Sequence, residues 1–510
     1  MPFFFGTACV DNTHYPRPGG HSHAPTPPRL KPARWIQAEP PIGLRPGRGE
    51  NGALRRPSPP RPCGGGAAVP RGSSTRLVGV STASPSAATA APVVSAAAIR
   101  EATQRLQGVV DRTALTHWKR MSRATGARVL IKREDQQAVR SYKVRGALNL
   151  MLSLTPEQRA RGVVAASAGN HGQGVAEGCH DLGITGHIFL PRTTPRQKLQ
   201  RIGELGGDMV HLHSVGSTYD EAYAASAAYA REHGAVPVHP FDDPRTIIGQ
   251  GTVAKEIHDQ LGSSPDIVVV PVGGGGLISG VASYLAEASP TTRVIGVEPA
   301  GASSMIAALA AGEPVTLAEI DNFVDGAAVR RVGDLPYEIV SRLRLRMAAV
   351  PEGRLCSEML RLYQTEGIIT EPAGALALAA LGPLGSGAPV EISPGSTVVC
   401  VLTGSNNDVS RYAEVMERSL VHEGLRHYFL IDFPQQPGSL RLFLDEVLGP
   451  DDDISLFEYA KRSNRETGPA FVGLTLGRAG DYEPLLARMA ATGLTYRVIA
   501  PDSPLFHLFV

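Results

Sequence analysis

The chain has 510 residues, enough for two or three domains, and its 42% hydrophobic and 19% charged residues describe a globular protein, neither fibrous nor wholly disordered. Fifty basic against 48 acidic side chains leave a net charge of +2, which gives no overall attraction to nucleic acid or an anionic membrane. Five scattered cysteines without a CxxC pair argue against a disulfide framework or structural zinc and suit a reducing, cytoplasmic setting; no run of 18 apolar residues is present to span a membrane.

Residues 1–90 hold 11 Lys/Arg, 3 Asp/Glu and 16 of the 41 prolines, which leaves 39 basic against 45 acidic residues in 91–510. The stretch has no hydrophobic period and is predicted to be a disordered N-terminal extension. A solvated tail, or upstream sequence read from an early start, is the simplest reading. An Arg-rich transit peptide and a nucleic-acid arm are the alternatives. The opening MPFFFGTACV lacks the basic segment of a secretory signal.

From about residue 95 the pattern becomes strand–helix alternation. Short β-branched runs (ARVLI, GVVAAS, HIFLP, DMVHLH, DIVVVPV, RVIGVEP, STVVCVL) alternate with amphipathic stretches at 172–182, 195–205, 218–233 and 252–261. Buried strands joined by crossover helices predict an α/β unit over 95–415 with parallel sheets in two lobes. In such sheets ligands bind at the carboxyl ends of the strands. Residues 425–510 follow a different order: HYFLIDFP, PGSLRLFLDEVLG, ISLFEYAKR, PAFVGLTLG, YEPLLARMAATG and TYRVIA read as βαββαβ, an α+β ferredoxin-like unit without a catalytic cluster.

Three loops after predicted strands carry candidate chemistry. SYKVRGA places Lys143 at a helix start; seven lysines against 43 arginines make this amine conspicuous, although a lone lysine there is usually a solvated surface residue. SAGNH, from Ser167 to His171, offers small residues and backbone N–H groups to an anion such as a carboxylate, or is simply a tight turn. GGGGL, Gly273 to Leu277, lets the backbone wrap a phosphate while the helix behind it supplies positive charge. It has neither the GK[ST] of a Walker loop nor a GxGxxG fingerprint. A lysine amine, a carboxylate turn and a phosphate cradle in one α/β unit describe a pyridoxal phosphate site.

On the stretches KREDQQAVRSYKVRGA, ASAGNHGQGVA, PVGGGGLISG, EGIITEPAGA and VLTGSN, the chain resembles the fold-type II pyridoxal-phosphate enzymes, and among them the threonine/serine dehydratases. The segments PGSLRLFL, ISLFEYAK and GPAFVGL resemble the single ACT-like regulatory domain of short biosynthetic threonine dehydratases. The resemblance implies that Lys143 carries the cofactor and acts as base on the substrate Cα–H, and that Tyr142 packs beside the ring where the family normally has Phe. It implies further that Asn170 bonds the 3-oxygen, that Gly273, Gly274, Gly275, Gly276 and Leu277 cradle the phosphate, and that Thr403 stands by the pyridine nitrogen. Ser167, Ala168, Gly169 and His171 would hold the substrate carboxylate. The activity implied is deamination of L-threonine, and of L-serine, to the 2-oxoacid and ammonia. That is the first step of isoleucine biosynthesis, with isoleucine as inhibitor, valine opposing it, and a homotetramer as the assembly.

A serine dehydratase or racemase, or a catalytically inert amino-acid sensor, are the competing functions. Racemases of this fold place a serine immediately before GNH; here that position is Ala168, which donates no proton. Glu298 matches a cation ligand of serine racemases, but Ser304 stands where they have aspartate, so no metal is expected. His211 and His213 alternate on a strand and read as surface or core histidines, and Asp451–Asp453 as a solvated turn.

Overall fold

The computed structural model describes residues 93–459, 465–500, 503 and 505–506, so the expected extension over 1–90 lies outside the described residues. Two sheets form the body of the α/β unit. The larger runs, in spatial order, Leu115–His117, Arg128–Arg133, Thr397–Leu402, Ile267–Pro271, Arg293–Pro299 and Arg346–Val350. All neighbours are parallel except the first pair. The smaller is parallel throughout, in the order Val210–Ser214, Gly186–Leu190, Val163–Ala166, Val236–Pro237. The central strands are continuous Val-rich runs buried on both faces, which is why they are legible as strands of a covered parallel sheet.

The observed elements also depart from the expected ones. The antiparallel edge strand Leu115–His117 has three residues and no buried position, so it offers no alternation to read. The helix Pro244–Leu261 starts eight residues before the expected 252, because Gly249 and Gly251 weaken the helical pattern. Those glycines are needed for packing: a Cβ at Gly249 would lie 2.6 Å from the Arg145 carbonyl, and one at Gly251 2.6 Å from Ile99. The helix therefore lies unusually close to Lys143–Leu152 and Ala96–Arg105.

A buried ionic cluster joins these elements. Arg145 donates from Nε and Nη2 to Glu134 at 2.7 and 2.8 Å and from Nη1 to Glu256 at 2.7 Å. Lys132 Nζ donates to Glu256 at 2.6 Å and to the Thr113 carbonyl at 2.8 Å. Arg145, Lys132 and Glu134 are each at most 1% exposed, and two cations against two carboxylates make the cluster neutral. Burial works against each charge. The two carboxylates nonetheless hold the Arg145 guanidinium above its ordinary range, and Arg145 holds the Glu134 carboxyl below its own.

The C-terminal part has the predicted βαββαβ order: Arg426–Pro434, Ser439–Glu446, Asp453–Tyr459, Thr467–Thr475, Tyr482–Ala491 and Thr495–Ile499. Its four strands pair antiparallel with the first and third in the centre. Phe429, Phe433, Phe443, Val472, Leu485 and Met489 fill the space between sheet and helices. Glu417, on the preceding helix Tyr412–His422, accepts from the Tyr428 hydroxyl at 2.7 Å and from Arg426 at 2.8 Å, which ties this domain to the rest. Among the described residues no helix is long and apolar enough to cross a membrane.

Arg145→Met removes one cation from a sealed cluster and leaves two buried carboxylates facing Lys132 alone. A loss of about 3–5 kcal/mol is expected, read as a lower denaturation midpoint; an unchanged midpoint contradicts the assigned role of the cluster.

Candidate active site

The three loops singled out in the sequence follow strand ends and meet in one cleft between the lobes. Lys143 is the first residue of the helix Lys143–Leu152, reached from the strand Arg128–Arg133 through a short 3-10 turn. Its Nζ donates to the Pro240 carbonyl at 3.2 Å and lies 5.3 Å from the centre of the Tyr142 ring. Desolvation lowers the ammonium to about 8, with the Glu371 carboxylate acting in the opposite sense. Burial likewise pushes the Tyr142 hydroxyl up.

Ser167 to Gly169 form the turn between the strand Val163–Ala166 and the helix Asn170–Leu182. That helix starts at Gly169 without a side-chain cap, so its first N–H groups are left for an acceptor from outside the helix. Ser167, Ala168, Gly169 and Asn170 are all partly exposed, and a Cβ built on Gly169 would meet no atom within 4 Å, so this turn has open space beside it. The Gly169 N–H donates to Ser167 Oγ at 3.2 Å. His171 is buried; its Nε2 bonds the Val238 carbonyl at 2.7 Å and its Nδ1 has no partner. Burial and then Lys143 lower this imidazole to about 3, so it is neutral near pH 7 and has an acceptor to offer at Nδ1.

Gly273 to Gly276 follow the strand Ile267–Pro271 and open the helix Gly276–Ala288, which also lacks a side-chain cap. Their lack of side chains is structural. A Cβ on Gly274 would overlap the Phe241 ring, one on Gly276 would come within 2.9 Å of the Phe241 Cα, and one on Gly273 within 3.0 Å of Ala327. Gly275 has φ +92°, where an L side chain is strained. The backbone is thus pressed between two walls with its N–H groups free at a helix start, which suits an oxygen-rich dianion. Leu277 is 3% exposed in the core, so only its amide could take part.

Thr403 follows the strand Thr397–Leu402; its hydroxyl donates to the Ala373 carbonyl at 3.1 Å, and its carbonyl accepts from the Tyr142 N–H at 3.1 Å. Asn170 donates from Nδ2 to Glu371 at 2.6 Å and accepts at Oδ1 from Asn406 at 2.8 Å. Glu371 and Asn406 fall within EPAGA and VLTGSN, but sequence reasoning gave them no role; they lie 201 and 236 positions from Asn170, and no spacing connects them. Burial raises the Glu371 carboxyl to about 7.

The remaining candidates stay outside the cleft. Glu298 uses both carboxylate oxygens to cap a helix start, accepting from the Met305 and Ile306 N–H groups at 2.7 and 2.9 Å. His211 and His213 are joined by His187, which bonds His213 at 3.0 Å and stacks on His211 in an aromatic cluster rather than around a common centre.

An amine of lowered pKa, two uncapped helix starts and a tight glycine cradle fit pyridoxal phosphate with an amino-acid carboxylate, and comparison with known proteins agrees. The pyridoxal-phosphate dependent enzyme profile matches residues 106–404, and the C-terminal regulatory domain of threonine dehydratase matches 417–509. L-threonine dehydratase biosynthetic IlvA of Mycobacterium bovis is 56% identical over 81% of this chain and 95% of its own length, and that of Corynebacterium glutamicum 54% identical over 82% and 95%. Among solved structures, the processed form of threonine deaminase isoform 2 from Solanum lycopersicum is 36% identical with a TM-score of 0.58, covering 63% of this chain and 93% of its own. Maize serine racemase is 31% identical with the same TM-score, covering 65% and 99%. On the extent of these matches, and on the site they enclose, the chain belongs to the pyridoxal-phosphate dependent enzyme family, alongside the biosynthetic threonine dehydratases.

Proposed function

We propose that this protein deaminates L-threonine to 2-oxobutanoate and ammonia, the entry to isoleucine biosynthesis, with L-serine as a second substrate. The observation that carries the reading is the convergence of the Lys143 amine with the uncapped starts of the helices Asn170–Leu182 and Gly276–Ala288. We take 95–415 as the catalytic unit, 425–510 as the regulatory domain and 1–90 as an extension, in a cytoplasmic homotetramer.

Bound pyridoxal phosphate supplies the electron sink that makes the Cα–H of an attached amino acid acidic. Gly273, Gly274, Gly275, Gly276 and the Leu277 amide would hold its phosphate, Asn170 its 3-oxygen and Thr403 its ring nitrogen, with Tyr142 beside the ring. Lys143 would anchor the cofactor, and its Nζ would serve as the base that takes the Cα proton. Its lowered pKa keeps a usable neutral fraction near physiological pH. Ser167, the amides of Ala168 and Gly169, and the start of the Asn170 helix would hold the substrate carboxylate, with His171 behind them as a neutral acceptor. Thr403 offers a neutral hydroxyl where a carboxylate would keep the ring nitrogen protonated. That makes a moderate electron sink, suited to loss of the β-hydroxyl. Ala168 offers no acid to the opposite face, which favours elimination over racemisation.

Regulation is assigned to the C-terminal domain. A cavity of about 260 Å³ there is walled by Phe433, Phe457, Tyr459 and Leu440, with Gly438 and Ser439 at its polar edge. Its size and apolar walls suit a branched amino acid, isoleucine as inhibitor with valine in competition.

Lys143→Ala should abolish retention of the cofactor and lower 2-oxobutanoate formation by at least about 10³-fold; a variant working at a tenth of the parent rate refutes the assignment. Only the neutral amine can attack the cofactor aldehyde. The rate at which cofactor-free protein takes up pyridoxal phosphate should therefore rise with pH, with a midpoint near 8. A rate that still climbs about tenfold per pH unit up to about pH 9.5, without a plateau, is the behaviour of an ordinary lysine and contradicts the lowered pKa. Millimolar isoleucine should raise the threonine concentration for half-saturation about 5–150-fold, and saturating threonine should weaken isoleucine binding by the same factor. Unchanged threonine saturation would leave the C-terminal domain without a regulatory role.

A further inference from the structure

Asn170 is held at both ends of its amide, at Nδ2 by Glu371 and at Oδ1 by Asn406. Exchanging the oxygen and nitrogen would turn Oδ1 against a carboxylate and Nδ2 against another amide nitrogen. The two partners therefore select a single orientation. In it, one N–H of Nδ2 is committed to Glu371 and the other is left over.

Glu371 is the residue immediately before the helix Pro372–Ala379, a position from which a side-chain acceptor can bond the first N–H groups of the helix. It makes no such cap. Its backbone is fixed to the end of the strand Thr397–Leu402 through Gly404, whose carbonyl accepts from the Glu371 N–H at 3.3 Å and from the Thr370 hydroxyl at 3.1 Å. A Cβ on Gly404 would overlap the Glu371 carboxylate, so glycine there makes the room the carboxylate occupies. The side chain, 5% exposed, crosses from the large lobe to the first residue of a small-lobe helix. A buried carboxylate that forgoes its own helix to hold an amide across the cleft is placed for the cleft.

We propose that Glu371 is a positioning residue of the active site, which fixes the Asn170 amide so that its second N–H is held on the 3-oxygen of the cofactor. The inference rests on the reading of Asn170 given above. Charged groups reach Glu371 from three other elements. Lys143 comes from its own helix, Lys198 from the helix Arg196–Gly206, and Asp325 from the turn after Asn322–Val324. Lys198 and Asp325 pair at 2.6 Å, so their opposed influences largely offset each other. Burial leaves the carboxyl near 7, so around neutrality it changes between a pure acceptor for Asn170 and an acid that holds it less firmly.

The test is titration of cofactor-free protein with pyridoxal phosphate, followed by absorbance, for the parent, Glu371→Ala, Glu371→Gln, Asn170→Ala and the Glu371→Ala/Asn170→Ala pair. Glu371→Ala should weaken binding about tenfold, and Glu371→Gln, which keeps an acceptor, should stay within about threefold of the parent. In the double variant the Glu371 change should add little to the loss from Asn170→Ala, because Glu371 acts through Asn170. Effects that multiply, or parent-like binding by Glu371→Ala, overturn the proposal. Should Glu371→Ala fail to fold, Glu371→Gln decides: the parent's binding should change with pH about a midpoint near 7 and that of Glu371→Gln should not, a retained midpoint overturning the proposal. Threonine turnover by the same parent preparation separates the two readings. A parent that binds cofactor without deaminating threonine contradicts the proposed function alone, whereas multiplying effects in an active protein contradict only the role of Glu371.

Discussion

A guanidinium withdrawn from water must have its donors met by carboxylates, and much of this structure follows from how Arg145 meets that demand. Glu134 arrives from the turn after one large-sheet strand and Glu256 from the long helix Pro244–Leu261. Lys132 closes the cluster to neutrality. Because a buried charge without its partner costs several kcal/mol, the strand, the long helix and the helix Lys143–Leu152 cannot shift independently. The glycines Gly249 and Gly251 belong to the same constraint, since they permit the close helix contact that brings Glu256 within reach. Lys143 lies two residues before Arg145 on the anchored first turn, so the position of the amine is inherited from the cluster.

Charge in the cleft follows a different logic. Two helices of 13 residues each begin without a side-chain cap, and Lys143 donates to the Pro240 carbonyl beside the Phe241 that packs on the start of the second. Backbone dipoles and an amine supply positive potential without requiring more buried cations, which suits a ligand bearing a phosphate and a carboxylate. Desolvation serves the chemistry as well. The same burial that lowers Lys143 to about 8 raises Glu371 to about 7, and each carboxylate–amine pairing limits the other's shift. The site thus holds two groups shifted in opposite directions by the same burial, the Lys143 amine and the Glu371 carboxyl that accepts from Asn170.

Much of this is legible in the sequence, and the boundary of legibility is physical. The strands Ile267–Pro271 and Thr397–Leu402 read clearly because burial on both faces demands an unbroken apolar run. Lys143, the Ser167–His171 turn and the Gly273–Gly276 loop were visible because each follows such a strand and each has an unusual local composition. The βαββαβ order of the C-terminal domain was visible for the same reason, its strands alternating and its turns marked by Pro and Gly. What could not be read are contacts across the fold. Glu371 and Asn406 meet Asn170 only because strand ends from both lobes face one cleft. Nor does composition distinguish Arg145 from the other arginines; its importance comes from being sealed away from water with two carboxylates.

The central claim is that Lys143, alone among the lysines, carries the cofactor. Borohydride reduction of the protein loaded with pyridoxal phosphate, followed by peptide mapping, tests it directly. The account predicts one stable label, located on Lys143 within the segment Ser141–Arg145. A label on Lys119, Lys132, Lys198 or Lys255 instead would contradict it.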